Sequence, residues 1–375
     1  MTPATVSERV TCRSVEQVVG AIRAGRADRS ALRITSGGTW PSAGLPVRTE
    51  RSLDVQGLSG ITEYVPGDLT LTAGAGTTLE ELAHATAEHR QWLPLDPFGD
   101  PRGTLGATLA TASAGPLGGS FGLPRDLTVG LSLVTGAGDV VEAGGRVVKN
   151  VAGFDLVRLM IGAWGTLGVI TEATVRLRAR PEADETVVMQ LPSERDALAT
   201  LLSNVHRAMV EPIAAELLSP TCTARIGLGS RAVLLVRLAG NAQGVHHQRS
   251  ALARLATCES IDVDIWTKLR RSDPSGTVVR VSRRPSELPR LWMASMSIPG
   301  VDAHATLARG IVRLRLTTST LPADAFDAGD RFVYETAPPD HRPGESAPQN
   351  DTLSRRLRDA FDPDRVLNRG ILGEA

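Results

Sequence analysis

An α+β protein of two domains is what this sequence predicts, and three observations carry the prediction. Residues 1–181 alternate capped helices with short strands and Gly-rich turns. Residues 182–337 change to the strand, helix, strand, strand, helix, strand alternation of a ferredoxin-like domain. The whole, at 375 residues with a 42% hydrophobic share, is too long for one ordinary core and rich enough for two. Residues 338–375 form a closing segment.

The first helix starts at Ser14, where Val15, Val18, Val19 and Ile22 share one helical face and Ser14 with Gln17 has capping-box spacing. It ends near Gly25, and a strand over 31–35 runs into Ser36-Gly37-Gly38-Thr39-Trp40. A strand over 69–73 leads into a helix capped by Thr78 and Glu81. Residues 101–122 are mostly Gly, Ala, Ser and Thr, offer almost nothing bulky to a core, and predict close approach of backbone to another group. Strands over 127–135 and 140–142 flank a turn at 136–139. A loop with Lys149 and Asn150 then leads to a helix from about Asp155, a Gly-rich exit at 165–168 and a strand to Leu177.

In the second domain the pattern predicts strands at 186–191, 212–218 and 232–238, with helices at 193–209 and 243–256. A second round has strands at 277–282, 301–306, 310–316 and 331–335 and a helix at 286–296, without a second helix. Residues 338–349 are loop by composition, and a charged helix over 352–360 precedes Phe361-Asp362-Pro363 and Asn368-Arg369-Gly370.

Composition excludes several function classes. Lys plus Arg and Asp plus Glu both total 41, so no net field draws the chain to nucleic acid or an anionic membrane. Small molecules and proteins are the expected partners. The N-terminus lacks the cationic start, apolar run and cleavage site of a secretory signal, which points to the cytoplasm. The most apolar window, 151–170, carries Asp155, Arg158 and four glycines, and predicts a buried helix, a turn and a strand instead of a membrane span. Cys12, Cys222 and Cys258 are isolated, so an iron–sulfur cluster in the electron path would belong to another chain.

Neither G-x-G-x-x-G between strand and helix nor G-x-x-x-x-G-K-[ST] occurs. Pyrophosphate is also bound by successive backbone N–H groups in a Gly-rich turn. The turns at 36–39 and within 103–119 suit that role, although each by itself reads equally as an ordinary turn.

Taken in order, R-I-T-S-G-G-T-W, L-T-A-G-A-G-T-T-L-E-E-L, G-T-L-G-A-T-L-A-T-A-S-A-G, G-R-V-V-K-N-V-A-G-F-D-L and G-T-L-G-V-I-T-E-A-T-V-R-L resemble the FAD-binding domain of the p-cresol methylhydroxylase/vanillyl-alcohol oxidase family over most of residues 10–180. Gly145 to Leu156, followed by Leu159-Met160-Ile161-Gly162, is similar to the FAD-binding E subunits of glycolate oxidases in particular. The resemblance implies an FAD-binding domain of two α+β subdomains, with a ferredoxin-like cap and a C-terminal segment that returns to the flavin. The family's closing Asn-Pro is here Asn368-Arg369.

Carried over residue by residue, the resemblance implies that Ser36, Gly37, Gly38 and Thr39 cradle the FAD pyrophosphate. Thr104, Gly106, Ala107, Thr111 and Gly115 would line the diphosphate and the isoalloxazine edge. Gly165, Gly168 and Ile170 would border adenine and ribose, with core packing as the alternative for the Ile170 side chain, and Asn368 would return to the flavin. Lys149 reads as a cation facing the flavin or a partner's acid, or as a solvated loop lysine. His304 falls where catalytic relatives carry a metal-associated His-Gly-Asp-Gly-Asn-His-like segment; the rest of that segment is missing, and a structural histidine is the alternative. Thr39 stands where covalent relatives have histidine, which implies non-covalent FAD.

The implied function is the FAD-binding subunit of a 2-hydroxy-acid oxidase or dehydrogenase complex, partnered by a sister flavin subunit and an iron–sulfur subunit that place it at the inner face of the membrane. An independent FAD-dependent alcohol or hydroxy-acid oxidoreductase, and a structural subunit that has lost FAD, are the competing readings.

Overall fold

The computed structural model describes residues 8–39, 43–45, 47, 49, 51–145, 155–208, 210–271, 277–316, 321, 326–327, 330–336 and 351–373. The chain divides into two compact units, one of Met1–Ala114, Gly122–Arg180 and Pro338–Ala375, the other of Gly115–Phe121 and Pro181–Ala337.

Among the described residues, unit 1 contains three sheets. Strands β1 (Glu8–Thr11), β2 (Leu32–Thr35) and β3 (Arg51–Asp54) form a parallel sheet in the order β1-β3-β2. The helix Val15–Ala27 is capped by Ser14, which accepts a hydrogen bond from the Gln17 N–H, and buries Val18 and Ile22 with Leu32 and Leu53. The second sheet is antiparallel and contains β4 (Ile61–Val65), β5 (Thr70–Gly74), β7 (Thr128–Thr135), β8 (Val140–Gly144) and β9 (Gly168–Arg176), in the order β4-β5-β9-β7-β8. Short strands β6 (Gln91–Trp92) and β10 (Arg178–Ala179) pair beside it. The helix Leu79–Ala87 carries the expected capping box, with Glu81 Oε2 accepting from the Thr78 N–H at 2.7 Å and Thr78 Oγ1 from the Glu81 N–H at 3.1 Å.

One expectation for unit 1 is corrected. The small-residue stretch 101–122 contains the helix Leu105–Thr111, and Leu105 and Leu109 are fully buried, so the stretch does feed the core. The described part of the window 151–170 holds the short helix Leu156–Met160, with Val157 and Met160 buried and Arg158 exposed, then the Gly-rich turn and the start of β9.

Unit 2 is one antiparallel sheet of eight strands: β11 (Ala183–Gln190), β12 (Ala214–Leu218), β13 (Val233–Gly240), β14 (Cys258–Ile261), β15 (Thr277–Ser282), β16 (Asp302–Thr306), β17 (Ile311–Leu316) and β18 (Arg331–Thr336). The order β14-β11-β13-β12-β16-β17-β15-β18 is a ferredoxin-like four-strand order followed by its mirror, joined where β12 pairs β16. Alternation explains the core: Val187, Leu217, Leu234, Val236, Val279, Ala305 and Leu314 pack with Leu198 and Leu202 of the helix Arg195–Arg207 and Leu291 and Trp292 of the helix Leu288–Met296. Strand β14, unread in the sequence, completes the first round. Its CESI sequence has no apolar alternation because its four side chains are exposed or half-buried at the sheet edge.

Candidate functional site

Within unit 1, a cleft of about 300 Å³ lies between the end of β2 with loop 36–39, the helix Leu105–Thr111, the chain from Trp164 into β9, and the segment around Asn368. Loop 36–39 owes its shape to Gly37 and Gly38, at φ +65° and +64°, a left-handed conformation that favours glycine. Gly38 lines the cleft, and a Cβ built on it would meet nothing within 4 Å. Among the described residues, the backbone N–H groups of 36–39 have no acceptor. A turn of unpaired donors at a cleft wall is a site for an anionic group.

Thr104 fixes the opposite wall. Its Oγ1 donates to Ser36 Oγ at 3.0 Å and accepts from the Ala107 N–H at 3.4 Å, so one hydroxyl ties loop 36–39 to the start of the helix Leu105–Thr111. Asn368 ties the floor. Its Oδ1 accepts from the Ile34 N–H at 2.8 Å and its Nδ2 donates to the Trp164 carbonyl at 2.7 Å, which settles the amide orientation. The Asn368 N–H also donates to the Leu32 carbonyl at 2.9 Å, so the C-terminal segment adds to β2. Both oxygens of Asp362 hold that segment in turn, accepting from Val366 and Leu367 N–H groups at 3.0 and 2.9 Å.

Of the residues singled out in the sequence, Ser36, Gly38, Thr39, Thr104, Gly106, Ala107, Thr111, Gly165, Gly168, Ile170 and Asn368 line this cleft. Gly37 does not, because its Cβ direction points to Thr104 Cγ2 at 3.5 Å. Gly115 does not either, lying in the stretch that groups with unit 2. Lys149 lies outside the described residues. Three glycines are required by packing. A Cβ on Gly106 would sit 2.6 Å from Ala75 Cβ, one on Gly168 2.7 Å from Leu133 Cδ1, and one on Gly165 2.9 Å from Asn368 Nδ2. Ile170 both lines the cleft and belongs to the buried core.

Sequence reasoning missed Arg33, Phe98 and Trp164, which also line the cleft. Trp164, at φ +54°, was legible as a bulky aromatic inside a Gly-rich turn. Arg33 contributes to the cleft lining from β2. Its NH2 group donates to the Ala43 carbonyl at 3.0 Å, while NH1 is buried without a hydrogen-bond partner. Burial pushes its pKa down to about 10.

In unit 2, His304 is 5% exposed on β16, with Nδ1 2.9 Å from Oε2 of the fully buried Glu216 on β12. Arg313, across from it on β17, pairs with Glu335 at 2.9 Å, and Arg280 lies 3.5 Å from the same carboxylate. Strand β17 lies inside the sheet, and Arg315 on it is 3.8 Å from Asp302. Among the described residues no group of three His, Cys, Asp or Glu is placed to hold a metal ion, and no helix is long and apolar enough to cross a membrane.

Residues 7–144 match the FAD binding domain family. The chain is 32% identical over 293 residues to the glycolate oxidase subunit GlcE of Escherichia coli (strain K12), covering 76% of this chain and 75% of that protein. It is 34% identical over 212 residues to the glycolate oxidase subunit GlcD of Bacillus subtilis (strain 168), covering 54% of this chain and 44% of the relative. The crystal structure of p-cresol methylhydroxylase with substrate bound has the same fold, at a TM-score of 0.75 and 17% identity over 99% of this chain and 90% of that one.

Proposed function

The chain belongs to the family of the glycolate oxidase subunit GlcE, and from that premise we propose that it is the FAD-binding subunit of a complex oxidising a glycolate-like 2-hydroxy acid. It is an FAD-dependent oxidoreductase subunit with FAD as its cofactor. The observation that carries the proposal is the cleft, where unpaired backbone donors of loop 36–39 face an interior lined by Phe98, Trp164 and Ile170. A nucleotide with an anionic middle and two aromatic ends needs both kinds of surface.

In this reading, residues 36–39 hold the diphosphate, and Thr104, Gly106, Ala107 and Thr111 border the diphosphate and the edge of the isoalloxazine. Gly165, Gly168 and Ile170 border adenine and ribose. Asn368 acts through others, holding β2 against the Trp164 turn so that loop 36–39 keeps its place. Bound FAD supplies a ring that takes up a hydride and releases electrons singly. Phe98 and Trp164 exclude water from the cleft. The proposed partners are a sister flavin subunit and an iron–sulfur subunit. Purification should give a chain with a flavin spectrum that captures an iron–sulfur protein; a colourless chain that fails to take up FAD would sink the reading.

One observation favours a second reading, an independent hydroxy-acid oxidoreductase. The His304 imidazole, oriented by the buried Glu216 carboxylate, has the arrangement of a general base, in a neighbourhood containing Arg313. Its test is direct oxidation of substrate by the isolated chain, lost in His304→Ala.

A further inference from the structure

Several arginines among the described residues are neutralised by acids. Arg9 meets Asp54, Arg51 meets Glu8 and Asp28, Arg237 meets Asp184, and Arg225 meets Asp302. Arg33 is different. No carboxylate among the described residues pairs with it, and its single hydrogen bond is to the Ala43 carbonyl. NH1 is buried and unpartnered, and Arg33 is one of the residues that line the cleft of unit 1. The other charged residue described in that lining, Asp100, is paired with Arg102 at 2.8 Å. A cation left uncompensated in a closed wall is costly unless an anion arrives, and burial already depresses its pKa to about 10.

We propose that Arg33 supplies the side-chain charge that holds the diphosphate of the bound dinucleotide, adding to the backbone donors of loop 36–39. The inference rests on the FAD reading above. Its chemical reason is that adenine, ribose, ribityl chain and oxidised isoalloxazine are all neutral near pH 7, so the diphosphate is the part of FAD that can compensate a guanidinium. Backbone N–H groups supply directed partial charges, whereas guanidinium supplies a full charge and a free N–H. Arg33 also precedes loop 36–39 on the same strand, so tightening of β2 by Asn368 positions both at once.

The test uses the flavin-free full chain as wild type, Arg33→Met and Arg33→Lys. FAD binding is followed by fluorescence quenching, and ADP and adenosine are titrated as competitors. Methionine has a similar length and removes a buried unpaired group, so the melting temperature of the apoprotein should stay level or rise. Affinity for FAD and ADP should fall about 10- to 100-fold in Arg33→Met, the loss expected for a charge-assisted hydrogen bond. Adenosine competition should be unchanged, and Arg33→Lys should recover part of the loss. Equal FAD affinity in wild type and Arg33→Met overturns the role of Arg33 alone. So does an equal loss for adenosine, or a fall in apoprotein melting temperature, either of which makes Arg33 a shaper of the wall through Ala43. A wild-type chain that binds no FAD overturns the flavin reading together with this one.

Discussion

At Gly106, the cofactor-facing wall and the protein core compete for the same space. A Cβ there would lie 2.6 Å from Ala75 Cβ and 2.9 Å from the Ala75 carbonyl oxygen, while the Gly106 N–H donates to that carbonyl at 2.8 Å. We expect Gly106→Ala to destabilise the apoprotein by about 1–3 kcal/mol, the usual cost of overpacking, read as a lower melting temperature without flavin. An unchanged melting temperature would show that the wall yields freely. Asn368 poses the complementary case, since it needs one acceptor and one donor at the same time. Asn368→Asp keeps the acceptor for Ile34 but sets a carboxylate oxygen against the Trp164 carbonyl. We expect a loss of about 2–3 kcal/mol together with weaker FAD binding; a variant that melts and binds like wild type would make the tie dispensable. At Thr39, which lines the cleft, a hydroxyl cannot form the histidyl link to flavin. Acid precipitation should leave the yellow colour in the supernatant, and colour in the pellet would refute non-covalent binding.

Strands β15, β17 and β18 are held by charge as well as by their ladder. Burial alone would push the Glu335 carboxyl up, yet the Arg313 and Arg280 guanidiniums hold it below its ordinary value of 4.5. The folded-state pKa is lowered, so this stabilisation is fully present above the unfolded-state value and is lost as pH falls through the folded one. Glu335→Gln should cost about 3 kcal/mol at neutral pH, as breaking a buried ion pair does. The difference from wild type should shrink as the solution is acidified below that range. Urea midpoints measured across pH test this, and curves that stay parallel at every pH would exclude the pair as their source. On the same strands, the arginines at 313 and 315 are met inside the sheet by Glu335 and Asp302. The helix Leu105–Thr111 is hidden in the sequence. Its Ala and Thr content masks the two leucines that hold it.

For the molecule as a whole, the question is the division of labour within a complex. Oxidation of a 2-hydroxy acid needs a cation for the carboxylate and a base for the hydroxyl proton. In unit 2 the Nε–H of Arg313 is already shared between the two carboxylate oxygens of Glu335, at 2.9 and 3.2 Å. We therefore expect the isolated chain to bind FAD and yet show slow anaerobic bleaching by glycolate or D-lactate, with rapid bleaching once the sister subunits are added. Fast stoichiometric bleaching by the chain alone would favour the independent enzyme, with His304 the first residue to replace.

The sequence by itself determined the α+β class, the helix caps at Ser14 and Thr78, the strand-to-glycine turn at 36–39, and the doubled strand pattern of unit 2. These are local signals, set by periodicity, capping chemistry and positive φ over a few neighbouring residues. Tertiary structure decided what depends on distant partners. Asn368 meets Ile34 across more than three hundred residues of chain, Gly106 answers to Ala75, and His304 acquires Glu216. Arg33 stands apart for the same reason: a strand residue becomes an uncompensated charge only when folding has buried it and brought no acid to its side.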